Sequence, residues 1–506
     1  MSLPLFNRVV EYADRTAIIS AGIDYTYTDL LRDSKNTALL LLDGSKDLNE
    51  ARVAFLFSSG YDYVRVQWAI WRAGGIAVPL CTTYPSAELE YFIADSRADI
   101  VVAEDALQEK VKPIATKMGL RYLSLSETAS SNSTELADIR PGRRAMILYT
   151  SGTTGKPKGV VSSHQIIQAQ IESLVKAWEW SSDDRIMQIL PLHHIHGIIN
   201  IACCALWSGA LLDMLPKFDT DAVWQRLVDA DLTLFMAVPT IYSRLAAAWD
   251  TAPAKTQHRW SNACKKLRLM ISGSAALPVA MLARWEQISG HRLLERYGMT
   301  EIGMALSNPL HGERLAGHVG KPLPGVDVRL VDEDGNPLTE GTKEGEIQVR
   351  GPNVFMEYWQ RPDETRQAFD SDWFKTGDVA EVTNNIYRIL GRNSMDIIKT
   401  GGFKVSALEV EEVLRTHEVI RECAVVAVPD QEWGEIIAVA MVLEPDQKLD
   451  IDSLRNWGKT KLAPYKVPSR LLIVDTLPQN AMGKVIKPEI VKIFQADIDR
   501  GKIYSA

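Results

Sequence analysis

The chain has 506 residues, 46% of them apolar, which is more than one core can use, because single cores stop growing at about 250–300 residues and longer chains split. Its formal charge of −8, from 56 basic and 64 acidic side chains, argues against a nucleic-acid partner. The five cysteines (Cys81, Cys203, Cys204, Cys264 and Cys423) show no Cys-x-x-Cys spacing, so they indicate neither a disulfide framework nor a zinc site and fit a reducing compartment.

Residues Met1 to Phe6 lead directly to Glu11 and Asp14, which matches neither an apolar secretory signal nor an Arg-rich, acid-poor transit peptide. Cytosol is the expected compartment, and a chain from which an organellar transit peptide has been trimmed reads the same way. Short β-branched or aromatic runs at Val53–Phe57 and Ile100–Val102 read as buried parallel strands flanked by helical patterns. A low-complexity patch, Ser126 to Thr134, reads as an exposed loop. The apolar run Ala145–Leu148 then opens onto Tyr149-Thr150-Ser151-Gly152-Thr153-Thr154-Gly155-Lys156-Pro157-Lys158-Gly159. Glycines allow close backbone approach, hydroxyls supply donors, and Lys156 and Lys158 supply charge, so the loop reads as a polyphosphate grip with ATP as its guest. Pro157 excludes a Walker A loop, in which a hydroxyl residue that holds magnesium follows the lysine. The plainer alternative is a Gly/Thr linker.

Farther along, the apolar run Ile198–Trp207 is interrupted by Asn200 and falls short of the ~18–20 residues that span a bilayer, so no membrane partner is expected. His193, His194 and His196 precede it, but no distant Cys/His set completes four ligands, and a metal cluster is not indicated. Leu234–Val238 and Leu269–Ile271 repeat the buried-strand pattern. Val326–Val349 is instead punctuated by Asp334-Gly335-Asn336-Pro337 and Glu344-Gly345, the turn chemistry of an antiparallel sheet. Past Gly391-Arg392 an α+β pattern restarts, with a helix at about Ser406–Thr416 and strands at Ala424–Val428 and Ala438–Leu443. The expected fold is α/β: a large N-terminal domain of parallel α/β subdomains plus a small β subdomain, then a small α+β domain, with the boundary near 393.

Five further blocks follow the 149–159 loop: Pro191-Leu192-His193-His194-Ile195-His196-Gly197, Tyr297-Gly298-Met299-Thr300-Glu301, Thr376-Gly377-Asp378, Gly391-Arg392 leading to Asp396, and Pro478-Gln479-Asn480-Ala481-Met482-Gly483-Lys484. Together they resemble, in order, the signature set of the adenylate-forming superfamily of acyl-CoA synthetases, luciferases and peptide-synthetase adenylation domains, over nearly the whole chain. The resemblance implies ATP, Mg2+ and coenzyme A as cofactors and an acyl-adenylate intermediate. It also implies a mobile C-terminal domain (397–506) that rotates on a hinge at 393–396 between adenylation and thioester formation, after an N-terminal domain at 1–392. The hinge segment Asn393-Ser394-Met395-Asp396 has one residue more than many relatives.

By the same resemblance, Lys484 holds the carboxylate and the α-phosphate in the first conformation. Glu301 is the Mg2+ ligand and Thr300 a hydrogen-bond partner of the phosphates, which Thr150 to Lys156 and Lys158 cradle. Asp378 and Arg392 hold the ribose, while Tyr297, Gly298, Met299 and the turn Gly273-Ser274-Ala275-Ala276 enclose the adenine. His194, beside Ile195, matches a gating histidine near the acyl carboxylate. Lys404 and Trp433 fall in segments typical of CoA-using members.

The stretch Glu295–Met304, with Ser307-Asn308-Pro309-Leu310 and Gly320–Val326, is similar to the malonyl-CoA and methylmalonyl-CoA synthetase branch. A dicarboxylate keeps a distal negative charge, which a buried pocket holds only with Arg or other donors. Arg244 aligns with that branch's substrate-clamping Arg, with Ser272 beside it. Arg296 is a second candidate, and a surface position on an amphipathic helix is the alternative reading of Arg244. The expected reaction is ATP-dependent ligation of malonate or methylmalonate to CoA, releasing AMP and pyrophosphate, by a monomer or weak dimer. A short monocarboxylate as substrate and a carrier protein as acceptor are the competing readings.

Overall fold

The computed structural model describes residues 3–125, 136, 138–150, 157–338, 343–393, 395–401, 403–430, 433–479 and 484–499; the low-complexity patch at 126–134 lies outside them. Two large sheets form the N-terminal part. In the first, Arg52–Leu56 pairs in parallel with Ile76–Pro79 and Ile100–Ala103, and Arg144–Thr150 and Arg121–Ser124 extend it on either side. Successive residues of Arg52–Leu56 feed opposite cores. Val53 and Phe55 join the main core, whereas Ala54 and Leu56 join a second one with Leu89, Phe92, Val111 and Ile114 of the helices Ser86–Asp95 and Gln108–Met118. Burial on both faces is why these strands read as unbroken apolar runs.

Among the described residues the second sheet has nine strands. At its centre Arg185–Gln188, Leu234–Ala237, Leu269–Ser272 and Leu294–Met299 run parallel, and the last turns back as a hairpin with Gly303–Ser307. Their carboxyl ends share one edge, the place where ligands gather in open α/β sheets. The Ile198–Trp207 run is buried as a π-helix, His196–Cys203, that continues into the helix Cys204–Trp207. No helix among the described residues is long and apolar enough to cross a membrane.

A smaller antiparallel sheet contains Asp327–Val331, Lys343–Arg350, Trp373–Thr383 and Ile386–Arg392. Residues 332–337 form the expected turn: Gly335 has φ +85°, and Asp332 Oδ1 accepts from the backbone N–H groups of Asp334 and Asn336. The second expected turn is corrected, because Glu344 and Gly345 pair within a strand, opposite Glu381 and Ala380. A Cβ on Gly345 would fall 2.3 Å from the Val331 carbonyl oxygen, so the glycine serves close approach of neighbouring strands rather than chain reversal.

The C-terminal part is built on one sheet containing Ile397–Thr400, Phe403–Ser406, Ile420–Asp430, Gly434–Leu443 and Arg470–Ile473. Residues from the helices Ala407–Leu414 and Ile451–Gly458 cover one face, and residues from Lys487–Asp499 the other. Sheet membership therefore changes between Arg392 and Ile397. Ser406 Oγ accepts from Glu409 N at 3.2 Å, capping the first helix, and also donates to the Leu390 carbonyl across that change.

Candidate active site

The 149–159 loop is closed at its base by an antiparallel pairing of Tyr149 with Gly159 and of Thr150 with Lys158. Ser151, Gly152, Thr153, Thr154, Gly155 and Lys156 lie outside the described residues. One cluster ties both ends of the loop. Tyr149 Oη donates to Asp95 at 2.8 Å, Arg361 Nη2 donates to the same carboxylate at 2.9 Å, and Tyr91 Oη donates to the Pro157 carbonyl at 2.8 Å. Lys158 is ion-paired with Glu364, and its ammonium stands 5.2 Å over the Tyr358 ring.

Thr300 and Glu301 occupy the turn between Leu294–Met299 and Gly303–Ser307. Glu301 is buried, and its Oε1 accepts from Tyr358 Oη at 3.0 Å. Burial raises its pKa, while that hydrogen bond and the Arg392 charge oppose the rise. A buried carboxylate oriented by a hydroxyl and short of positive charge fits a single-carboxylate Mg2+ ligand.

On the antiparallel sheet Asp378 lies opposite Arg392. One of its oxygens accepts from Arg392 Nε at 2.9 Å and the other from Tyr297 Oη at 2.6 Å. Thr376 Oγ1 accepts from Asp378 N at 3.1 Å inside the strand Trp373–Thr383. Lys484 shares this neighbourhood. It is exposed by accessible area, but the protein packed around its ammonium lowers its pKa; Arg392 acts in the same direction, and Asp396 and Asp378 oppose it.

A second group lies by the carboxyl end of Leu269–Ser272. The His193 and His194 rings are 4.1 Å apart, and burial lowers the His194 pKa to about 4. Burial takes His193 and His196 well below the usual imidazole range, with His194 and Arg296 respectively adding to the effect. All three imidazoles are therefore neutral near pH 7. His196 Nδ1 is 3.1 Å from Ser274 Oγ, and Arg296 Nη2 donates to that hydroxyl at 3.4 Å. Arg296 is only 4% exposed, and burial lowers its pKa to about 9. Gly273 makes room for it, since a Cβ there would lie 2.4 Å from the guanidinium carbon.

Among the described residues Arg296 Nε, Ser272 Oγ and His196 Nε2 are buried without a hydrogen-bond partner. Leaving such groups unpaired costs on the order of 1–3 kcal/mol each, and more for a charge. Ile195 is half-buried against the main core, Gly298 and Met299 end the strand Leu294–Met299, and Ala275 is exposed on the rim.

Three residues named from the sequence stand outside these groups. Arg244 is exposed on the helix Pro239–Thr251, with its guanidinium 5.9 Å over the Phe218 ring. Lys404 pairs with Glu333 at 2.8 Å. Trp433 is 49% exposed and lies over Gly401. Tyr358, Asp95 and Arg361 went unnoticed in the sequence. Nothing in the spacing links an aromatic at 358 to a carboxylate at 301; the bond from Phe355 N to the Glu301 carbonyl, 2.7 Å, brings the segments together.

The fold and the site define an AMP-binding enzyme, and the chain belongs to that family: the AMP-binding enzyme family matches residues 5–359, and the AMP-binding enzyme C-terminal domain matches 409–484. The chain is 46% identical to the mitochondrial malonate–CoA ligase of Mus musculus, over 97% of this chain and 90% of that protein. It is 39% identical to the malonate–CoA ligase of Arabidopsis thaliana, over 96% and 87%. ATP-bound MatB from Rhodopseudomonas palustris superposes with a TM-score of 0.89 at 34% identity, covering 98% of this chain and 100% of that one. The apo form of the same protein gives 0.79 at 34% identity, covering 98% and 99%.

Proposed function

We propose that the chain joins malonate to coenzyme A in two steps, through a malonyl adenylate. The observation that carries this reading is the cluster in which Asp378 accepts from Arg392 and Tyr297, with Asp378 and Arg392 both acting on the Lys484 ammonium. Similarity to proteins named malonate–CoA ligases supports it. In the first step a malonate carboxylate oxygen attacks the α-phosphorus of ATP and pyrophosphate leaves. In the second the CoA sulfur attacks the acyl carbonyl and AMP leaves. The residues neutralise charge and align the reactants, the main tasks in such transfers.

Thr150 to Lys156 and Lys158 cradle the phosphates with Thr300. Glu301, oriented by Tyr358, would hold Mg2+ together with phosphate oxygens, and the ion supplies positive charge to the departing pyrophosphate. Asp378 and Arg392 hold the ribose. Tyr297, Gly298, Met299, Gly273, Ser274 and Ala275 enclose the adenine. Lys484 neutralises the attacking carboxylate and the α-phosphate. His194, neutral, gates the acid beside Ile195 without pairing its charge. Arg244 takes the distal carboxylate with Ser272, and Arg296 is the second candidate for that clamp.

We assign the domains to 1–392 and 397–506 and the hinge to 393–396, at the change of sheet. Lys404 and Trp433 meet CoA after rotation, since in this arrangement neither joins the Asp378 cluster. All five cysteines are free and buried, which fits the cytosol or a reducing organellar matrix, and a monomer or weak dimer is the proposed state.

Incubated with malonate, MgATP and CoA, the protein should form malonyl-CoA, AMP and pyrophosphate in equal amounts, measured by chromatography and mass spectrometry. ADP and phosphate in place of AMP would sink the adenylate reading. Idle CoA together with an acylated phosphopantetheinyl protein would select the carrier-loading alternative.

A further inference from the structure

Behind the hinge lies a buried charge network with no direct place in the two-step chemistry. Lys487, only 12% exposed in its side chain, opens the helix Lys487–Asp499 three residues after Lys484. Its ammonium donates to Asp396 Oδ1 at 2.5 Å and pairs with Glu411 Oε1 at 2.8 Å. The other oxygen of Asp396 accepts from Arg392 N at 3.0 Å, and Asp396 N donates to the Arg392 carbonyl at 2.7 Å. Glu411 is fixed in turn, accepting from Val425 N at 2.9 Å and from Arg415 Nη2 at 3.0 Å. Two carboxylates face two cations. Burial alone would lower the Lys487 pKa, but Glu411 and Asp396 outweigh it and hold the pKa above the ordinary value.

Its members belong to three different parts: Asp396 to the hinge, Glu411 to the helix Ala407–Leu414 in the small domain's core, and Lys487 to the segment that carries Lys484. We propose that Lys487 is a positioning residue for adenylation: through Asp396 it fixes the Lys484 segment to the hinge in the arrangement that turns Lys484 towards Asp378 and Arg392. The inference rests on the two-step reading above. Without the ammonium, Asp396 and Glu411 become two buried carboxylates that repel each other, and the hinge end of the contact is the first to give way, because Glu411 keeps Arg415 and Val425.

The test assays each half-reaction of Lys487→Ala. Malonate-dependent exchange of pyrophosphate into ATP should fall about 10²-fold, the scale of an ångström's misplacement of a reacting group. CoA-dependent consumption of supplied malonyl adenylate should stay within about threefold of wild type. Lys487→Arg, which keeps the charge, should recover most of the exchange. Equal losses in both half-reactions, or full exchange in the Ala variant, would overturn the proposal. Should Lys487→Ala not fold, Lys487→Met, which keeps the length of the side chain without its charge, decides on the same two readouts, with the same split expected. A wild-type enzyme with no malonate-dependent exchange removes the two-step reading itself, whereas equal losses against an active wild type remove the positioning role alone.

Discussion

Lys484→Ala is expected to lower malonyl-adenylate formation by about three orders of magnitude, the scale of losing a preorganised charge contact to a transition state. The lysine stands where the Asp378–Arg392 pair and Asp396 all act on its ammonium, on a segment of the small domain. Negative charge builds on the α-phosphate and the attacking carboxylate together, and no other lysine is assigned to that point. The loss should appear in kcat of pyrophosphate exchange rather than in KM for ATP, because Asp378, Arg392 and the phosphate loop are untouched. Transfer of supplied malonyl adenylate to CoA should largely survive, since the proposed rotation of the small domain would take Lys484 out of the site before the thiol attacks. A folded variant that loses both half-reactions equally would contradict the alternation of domains.

Arg244→Met should reverse acid preference. Arg244 makes no ion pair among the described residues, and its guanidinium lies 5.9 Å over the Phe218 ring. A guanidinium–carboxylate contact that becomes desolvated as the acid seats is strong when made and costly when broken. The substitution should therefore lower kcat/KM for malonate by roughly two to three orders of magnitude, with propionate or butyrate unchanged or improved. Arg296→Met is the matched comparison. A loss confined to Arg296 would place the clamp at the buried guanidinium under Gly273 instead of at the helix Pro239–Thr251.

The parallel sheets were legible because strands covered on both faces, such as Val53 to Leu56, leave unbroken apolar runs. Asp334-Gly335 gave a true turn because its signal is local: a positive-φ glycine and an Asp that bonds the next backbone N–H groups. Glu344-Gly345 misled for the opposite reason, since what requires that glycine is the Val331 carbonyl of a neighbouring strand. The site divides in the same way. Short contiguous blocks such as Tyr297 to Glu301 announce themselves, whereas Tyr358 reaches Glu301 across 57 positions and Lys487 reaches Asp396 across 91, with nothing in the local sequence to join them. The burial of Arg296 was hidden too, because arginine is ordinarily a surface residue and the missing Cβ of Gly273, far from it in sequence, leaves it room.

The most direct measurement is acid-dependent exchange of labelled pyrophosphate into ATP, without CoA, across acetate, propionate, butyrate, malonate, methylmalonate and succinate. A two-step dicarboxylate ligase predicts exchange without the thiol, strongest with malonate or methylmalonate and weak with the monocarboxylates. Exchange that requires CoA would contradict the adenylate intermediate, and a preference for acetate or propionate would contradict the dicarboxylate pocket.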